Sequence, residues 1–340
     1  MSGEQSYSVG AVRIWGQSVF PGLLVCLTIA MAATFLSNNY GGPVMLFALL
    51  LGMAFHFLSE EGPCRHGIEV ASKSILRIGV ALLGVRITFG QIAELGQVTI
   101  AGVVLAIVVT ILFGWIIAKI FKLDPSHGLL SGGAVAICGA SAALALSAVM
   151  PKSAAAEKNT IVTVVAVTTL STVAMVIYPL ITQQLGFSFI DSGIFLGGTI
   201  HDVAQVVGAG YSVSEQTGDV STVVKLLRVT MLVPAVLVFS LIFSSRNKGA
   251  GAKTKSNLLP PLFLIGFVGF VVLNSFNYIP VIATEKLTDL SRVALVMAIA
   301  GLGMKTSLKE LSKVGWPIVG LVVSETAFIA LFIYMLVIFT

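Results

Sequence analysis

Long apolar runs follow one another from residue 17 to residue 339, and nothing else in the sequence restricts the fold as strongly. About 20 apolar residues suffice for a helix to cross a bilayer. Runs of 16 to 27 residues recur at 17–36, 43–58, 68–88, 97–121, 127–150, 159–184, 190–211, 217–244, 258–276, 283–304 and 314–339, giving eleven expected spans. Only 10% of the residues are charged, against roughly 25% in soluble domains. The expected fold is an all-α polytopic membrane protein, a single helical bundle. The longest polar loop is Ser244 to Asn257, so no extramembrane domain is expected.

The net charge of +5 is spread over short loops, which points to the positive-inside rule rather than to nucleic acid. With eleven crossings, the side holding the N-terminus carries Arg13, Arg65, Lys119, Lys122, Arg246, Lys248, Lys253, Lys255, Lys305, Lys309 and Lys313. The other side carries Arg86, Lys152, Lys158 and Lys286. This bias places the N-terminus in the cytoplasm and the C-terminus outside it. The run Val19–Phe35, with Ala30-Met31-Ala32, also has the look of a signal peptide, but the many spans after it favour a first transmembrane helix. Cys26, Cys64 and Cys138 have no paired spacing, so neither a disulfide framework nor a metal cluster is expected.

Span 5, from His127 to Met150, is unusual. It carries Gly132-Gly133 and Cys138-Gly139-Ala140-Ser141, with no large side chain between Ile137 and Leu144. Glycine costs about 1 kcal/mol in a helix interior relative to alanine. Either small residues let helices pack closely here, or the helix is interrupted at mid-membrane and its freed N–H groups face an anion.

An internal repeat bears on that choice. Leu76-Arg77-Ile78 in span 3 matches Leu227-Arg228-Val229 in span 8. Gly52 and His56 in span 2 match Gly197 and His201 in span 7. Ala136-Ile137-Cys138-Gly139 in span 5 matches Ala298-Ile299-Ala300-Gly301 in span 10. The matches keep one order and an offset of five spans, as two inverted five-helix repeats would. The expected organisation is an N-terminal region with an extra helix (1–40), a first repeat (41–186) and a second (187–340). Spans 5 and 10 would then both be interrupted.

Span 7 contains His201, Asp202 and Gln205 within an apolar run. Ionisable groups near mid-bilayer are costly unless sheltered. They could face a cavity and bind substrate or a coupling proton, clamp neighbouring helices, or lie near an interface. Arg77 and Arg228 each follow a lysine by about one turn, Lys73 and Lys225 respectively. They could attract an anion, pair with Asp202 or Glu325, or snorkel. The hydroxyls of span 6 could line a polar path or bond to their own helix. No phosphate-binding glycine-lysine loop, metalloprotease helix or serine elbow is present.

The runs Gly132–Ser141 and Gly198-Thr199-Ile200-His201-Asp202-Val203-Ala204-Gln205-Val206-Val207 resemble those of the YeiH-type sulfate exporter family of bacterial inner membranes. The resemblance covers nearly the whole chain. It implies a fold related to bile-acid symporters and cation/proton antiporters, with inverted repeats crossing at broken helices and a usual dimer. The expected function is secondary transport of a small anion, sulfate or a related oxyanion, without enzyme activity or cofactor. Cys138, Gly139, Ala140, Ser141, Ala300, Gly301, Gly303 and Arg228 would bind it. His201, Asp202, Gln205, Arg77, Lys225 and Glu325 would gate or couple, with a proton or cation as coupling partner. The alternatives are a cation/proton antiporter with Asp202 as the ion-binding carboxylate, a passive anion channel, and a membrane-embedded metalloenzyme using His201 and Asp202.

Overall fold

The computed structural model describes residues 4–41, 43–151, 153–244, 262–306 and 315–340, and these are helical with connecting turns and no strand. In chain order the helices are α1 (Glu4–Tyr40), α2 (Val44–Ala54), α3 (Phe57–Glu60), α4 (Arg65–Val70) and α5 (Leu76–Leu83). There follow α6 (Phe89–Glu94), α7 (Gln97–Ile120), α8 (Pro125–Ala136), α9 (Ala140–Val149), α10 (Ala154–Gln184) and α11 (Phe189–Thr199). The last are α12 (Val203–Val213), α13 (Glu215–Thr230), α14 (Leu232–Ser244), α15 (Leu262–Ser275), α16 (Val281–Lys305) and α17 (Trp316–Phe339). Among the described residues, six helices are long and apolar enough to cross a membrane, and four shorter apolar ones accompany them. Helix length and composition among the described residues do not by themselves yield the eleven expected crossings.

The chain forms two compact units, residues 1–88 with 265–307 and residues 89–264 with 308–340. Each expected repeat contributes to both units, so the repeat boundaries at 40/41 and 186/187 do not coincide with these divisions.

In the first unit, span 10 corrects an expectation. It is not interrupted: α16 runs unbroken from Val281 to Lys305. Its glycines permit close approach instead. A Cβ on Gly303 would stand 2.3 Å from the Leu49 carbonyl oxygen, and one on Gly52 2.3 Å from that of Ala300. The α2 and α16 backbones touch there, which any side chain would prevent. Gly303→Leu is expected to destabilise the protein by several kcal/mol, at least the roughly 1–3 kcal/mol of core overpacking, read as a lower unfolding temperature in detergent. The end of α16 is closed by polar side chains. His56 Nδ1 donates to the Met304 carbonyl at 2.6 Å and Ser59 Oγ donates to the same oxygen at 2.7 Å.

In the second unit, α7 and α8 are antiparallel and separated only by glycines. A Cβ on Gly114 would lie 2.5 Å from the Gly128 oxygen, and one on Gly132 3.0 Å from the Thr110 oxygen. Leu130, Leu146 and Met150 form an apolar cluster with Val236, Phe239 and Phe243 of α14.

Candidate functional site

Two spans of the second unit are broken, and both fold back on themselves. Span 5 divides into α8 and α9 at Ile137–Gly139, where Gly139 adopts φ 64°, ψ −125°. A Cβ on Gly133 would meet Leu146 Cδ1 at 2.4 Å. On one straight helix those residues would stand about 20 Å apart, at 1.5 Å per residue. The start of α8 (Asp124, Ser126, His127) and the end of α9 (Ser147, Met150) line a single cavity of about 740 Å³. Span 7 divides into α11 and α12 at Ile200–Asp202. Cβ atoms on Gly193 and Gly210 would lie 3.1 and 3.2 Å from the same Thr217 carbonyl oxygen, whereas a straight helix would hold the two residues about 25 Å apart. Thr217 Oγ1 also donates to the Phe189 carbonyl at 3.0 Å while its own N–H donates to Ser214 Oγ at 3.0 Å, which joins the start of α11 to the end of α12. Both spans, each expected as a single crossing, fold back on themselves as helical hairpins.

The hairpins enter from opposite ends of α10. Along that helix, Thr163 bonds to His127 at the base of the first hairpin and Ser171 bonds to Asp202 at the tip of the second. Tyr178 packs against Phe195 higher in the second, with ring centroids 5.5 Å apart. The arms α8 and α11, of 12 and 11 residues, reach about 17–18 Å, roughly half of a 30 Å hydrocarbon core. The tips meet midway. A Cβ on Gly139 would stand 3.7 Å from the His201 Cβ.

Two arms end at this meeting point with their carbonyls, the negative ends of their dipoles, and two begin there with their N–H groups. The carbonyl ends are held by two fully buried cations from α13. Arg228 Nε donates to Ala136 (2.8 Å), Nη2 to Val135 (2.7 Å), and Nη1 to Gly197 (2.9 Å) and Ile200 (3.0 Å). Lys225 Nζ donates to Ile137 (2.7 Å) and Ile200 (3.0 Å). Each cation thus bridges the two hairpins. Arg228 does not pair with Asp202 or Glu325, as the sequence left open, but supplies the C-caps that the breaks lack.

The N–H ends differ from each other. At α12 the cap is Asp202, whose Oδ1 accepts from Ala204 N–H at 3.2 Å and whose own N–H donates to Ser171 Oγ at 3.1 Å. At α9 the cap is Gly139, which has no side chain to offer. There Ala140 is half-buried and Ser141 exposed, while Cys138 is buried.

The polar neighbours are in place around the tips. Ser171 Oγ donates to Gln205 Oε1 and Gln205 Nε2 to Thr172 Oγ1, both at 3.3 Å. His201 Nε2 stands 3.0 Å from Thr326 Oγ1 of α17, and Ser131 Oγ of α8 donates to Glu325 Oε1 at 2.7 Å. Adjacent residues of α17 therefore hold one hairpin each. Thr160, Thr168, Thr169 and Thr172 return their hydroxyls to carbonyls of their own helix, so the hydroxyl face of span 6 is largely self-satisfied.

Of the expected site residues, the structure brings together Cys138, Gly139, Ala140, Ser141, His201, Asp202, Gln205, Lys225 and Arg228, with Glu325 beside Ser131. Ala300, Gly301 and Gly303 lie on the unbroken α16 of the first unit, where glycine serves packing. Arg77 is exposed on α5 of that same unit. Ser171, one of the span 6 hydroxyls that could line a polar path, holds the second tip, and Thr326 joins the site without having been expected there.

Comparison with known proteins fixes the family. A family model described as conserved hypothetical protein 698 matches residues 21–322. This chain belongs to the UPF0324, or YeiH, family of membrane proteins. A UPF0324 membrane protein of Chlorobaculum tepidum is 55% identical over 326 residues, covering 96% of this chain and 91% of the relative. One of Rhizobium meliloti is 53% identical over 92% of this chain and 91% of the relative. The UPF0324 membrane protein TauZ of Paracoccus denitrificans is 47% identical over 318 residues, 93% of this chain and 94% of the relative.

Proposed function

We propose that this UPF0324 member is a secondary transporter of a small oxyanion, bound where the two hairpin tips meet. The observation that carries the reading is the pair of buried cations between opposed half-helix ends. Arg228 and Lys225 add two positive charges, and Asp202 within electrostatic reach of Lys225 returns one negative. The two carbonyl ends are offset by the two N–H ends. On this count of the residues at the tips, positive charge is in excess there, which one anion would neutralise. The N-terminus of α9, where Gly139 brings no capping side chain and Cys138 engages the Ala142 N–H, leaves it the N–H groups of Ala140 and Ser141 and the Ser141 hydroxyl. Because the hairpins enter from opposite sides, small movements at their tips would open the site to one side at a time.

Hairpins also change the expected topology. If span 5 returns to its own side, Lys152 and Lys158 join Lys119 and Lys122. The basic residues then divide thirteen to two, with only Arg86 and Lys286 opposite, where eleven crossings give eleven to four. The N-terminus remains cytoplasmic and the C-terminus periplasmic in this reading. In a Cys64→Ser background, whose remaining cysteines are buried, thiols introduced at Ser153 and Lys122 are expected to react with an impermeant maleimide from the same side. One introduced at Ser188 is expected to react from the other. Labelling of Ser153→Cys and Lys122→Cys from opposite sides would restore the crossing span.

Counterflow in proteoliposomes tests the function. Labelled oxyanion uptake driven by internal unlabelled oxyanion, and retained in Asp202→Asn, is the expected result. Cation-dependent flux that Asp202→Asn abolishes, with no anion movement, would replace the reading with the antiporter. Flux indifferent to internal anion would make the protein a channel.

A further inference from the structure

One buried acid takes no part in the junction of the tips. Glu325 of α17 is fully buried, and among the described residues it forms no ion pair. Its Oε1 accepts from Ser131 Oγ of α8 at 2.7 Å, and its Oε2 has no hydrogen-bond partner. Gly114 of α7 makes the room, since a Cβ there would collide with Oε1. An ionised carboxylate in that place has one donor for about four lone-pair sites, and an uncompensated buried charge is costly. A bound hydrogen ion removes the charge, and the contacts serve both states. Without it, Ser131 donates to Oε1. With it, Oε1–H donates to Ser131 Oγ, whose own hydrogen turns to the Gly128 carbonyl 3.4 Å away. The hydrogen ion stays on Glu325, and no heavy atom has to move.

The bond lies close to a cavity. Ser131 shares a face of α8 with His127 one turn before it, at a Cβ separation of about 5–6 Å. His127 lines the 740 Å³ cavity at the base of the first hairpin. The other titratable groups on the elements packed against α17 are engaged elsewhere. Lys119 of α7 and Glu157 and Lys158 of α10 are exposed. Asp191 of α11 accepts from Ser188, His127 meets Thr163, His201 meets Thr326, and Tyr178 and Tyr334 pack on phenylalanines.

We infer that Glu325 is the binding site of a coupling hydrogen ion, which acts on the first hairpin through Ser131. The inference rests on the proposed transport and specifies its coupling ion. Ionised, Glu325 ties α8 to α17 by a charge-assisted bond, roughly twice as strong as a neutral one. Protonated, it holds the hairpin by the weaker neutral bond, so the hairpin is freer to move. The next residue, Thr326, ties the second hairpin through His201, so the hydrogen ion binds at the one stretch of α17 to which both hairpins are fastened. Asp202 is left to its cap on α12.

Infrared spectra of the purified full-length protein test the site, because a protonated carboxyl has a carbonyl stretch distinct from that of a carboxylate. The wild type is expected to show that band at neutral pH and to lose it at alkaline pH. Asp202→Asn should keep the band and Glu325→Gln should lack it. Its absence from the wild type, its loss in Asp202→Asn or its persistence in Glu325→Gln overturns the inference. Proteoliposomes held at zero membrane potential test the coupling, with labelled sulfate, thiosulfate and sulfite and with protein-free vesicles as the blank. For an anion that shows counterflow, a gradient of one pH unit should shift accumulation about ten-fold per coupled hydrogen ion, since both ratios carry the same 1.4 kcal/mol. Glu325→Gln, shaped like the neutral acid, should exchange anion for anion but lose the response to the gradient. Wild-type accumulation indifferent to pH, or a full response in Glu325→Gln, overturns the inference and leaves the anion site standing. Counterflow of none of the three anions overturns the transport reading, and the coupling role with it.

Discussion

Arg228→Ala is expected to lower stability by at least about 3 kcal/mol, because it strands buried carbonyls at Val135, Ala136 and Gly197, each a loss of roughly 1–3 kcal/mol. Ile200 keeps Lys225 as a donor. The loss falls on the junction of the hairpins, so transport should vanish even where some folded protein survives. Arg228→Lys keeps the charge but not the fork of donors, and one ammonium with three hydrogens cannot serve all four carbonyls that the guanidinium binds. It should recover well under half of the lost stability. Unfolding temperatures of the wild type and both variants in one detergent decide this. Equal stability of Arg228→Ala and wild type would mean that the guanidinium does not hold the tips together.

The second large effect is expected at Gly139. Its φ of 64° with ψ of −125° belongs to a region that residues with a Cβ hardly enter. Space is not the obstacle, since a Cβ there would meet His201 only at 3.7 Å, an ordinary contact. Gly139→Ala therefore costs backbone strain, about 1–3 kcal/mol, placed at the turn that aims the N–H groups of α9. Transport should fall by about five-fold to about a hundred-fold, since 1.4 kcal/mol corresponds to a factor of ten, while the rest of the fold persists. A variant as active as wild type would show that the turn does not set the site.

These expectations depend on the hairpins, and the sequence showed only part of them. The interruption of span 5 was legible because Gly132, Gly133 and Gly139 are expensive in a helix that merely crosses lipid. Its fold-back was not, because a broken crossing helix and a re-entrant pair have the same length and hydropathy. The distinction lies in contacts such as Gly133 with Leu146. Span 7 carries a signal of its own. An Asp followed by an apolar run is a helix-start pattern. The carboxylate of Asp202, a residue type that also suggests ion chemistry, caps α12 and so marks a break at mid-span. Span 10 misled for the converse reason. Gly301 and Gly303 have the spacing of an interruption but serve the contact with α2, and no sequence pattern distinguishes a glycine that bends a helix from one that admits a neighbour. Arg228 stands out in the sequence as a cation inside an apolar span, and the structure buries it. Its partners were not legible, because backbone carbonyls carry no signature in the sequence.

The central claim is that an anion occupies the N-terminal end of α9 beside Ala140 and Ser141, and Ser141→Asp tests it most directly. A carboxylate at the second position of a helix is favourable by about 0.3–1 kcal/mol, so the variant should fold, and it would fill the site with its own negative charge. A ligand that binds the native state raises stability by RT ln(1 + [L]/Kd), roughly 2.7 kcal/mol at a hundred times Kd. The account predicts that the wild-type protein is stabilised by sulfite, while Ser141→Asp is more stable without ligand and gains nothing from the anion. An equal anion-induced shift in both proteins would place the anion elsewhere and contradict the account.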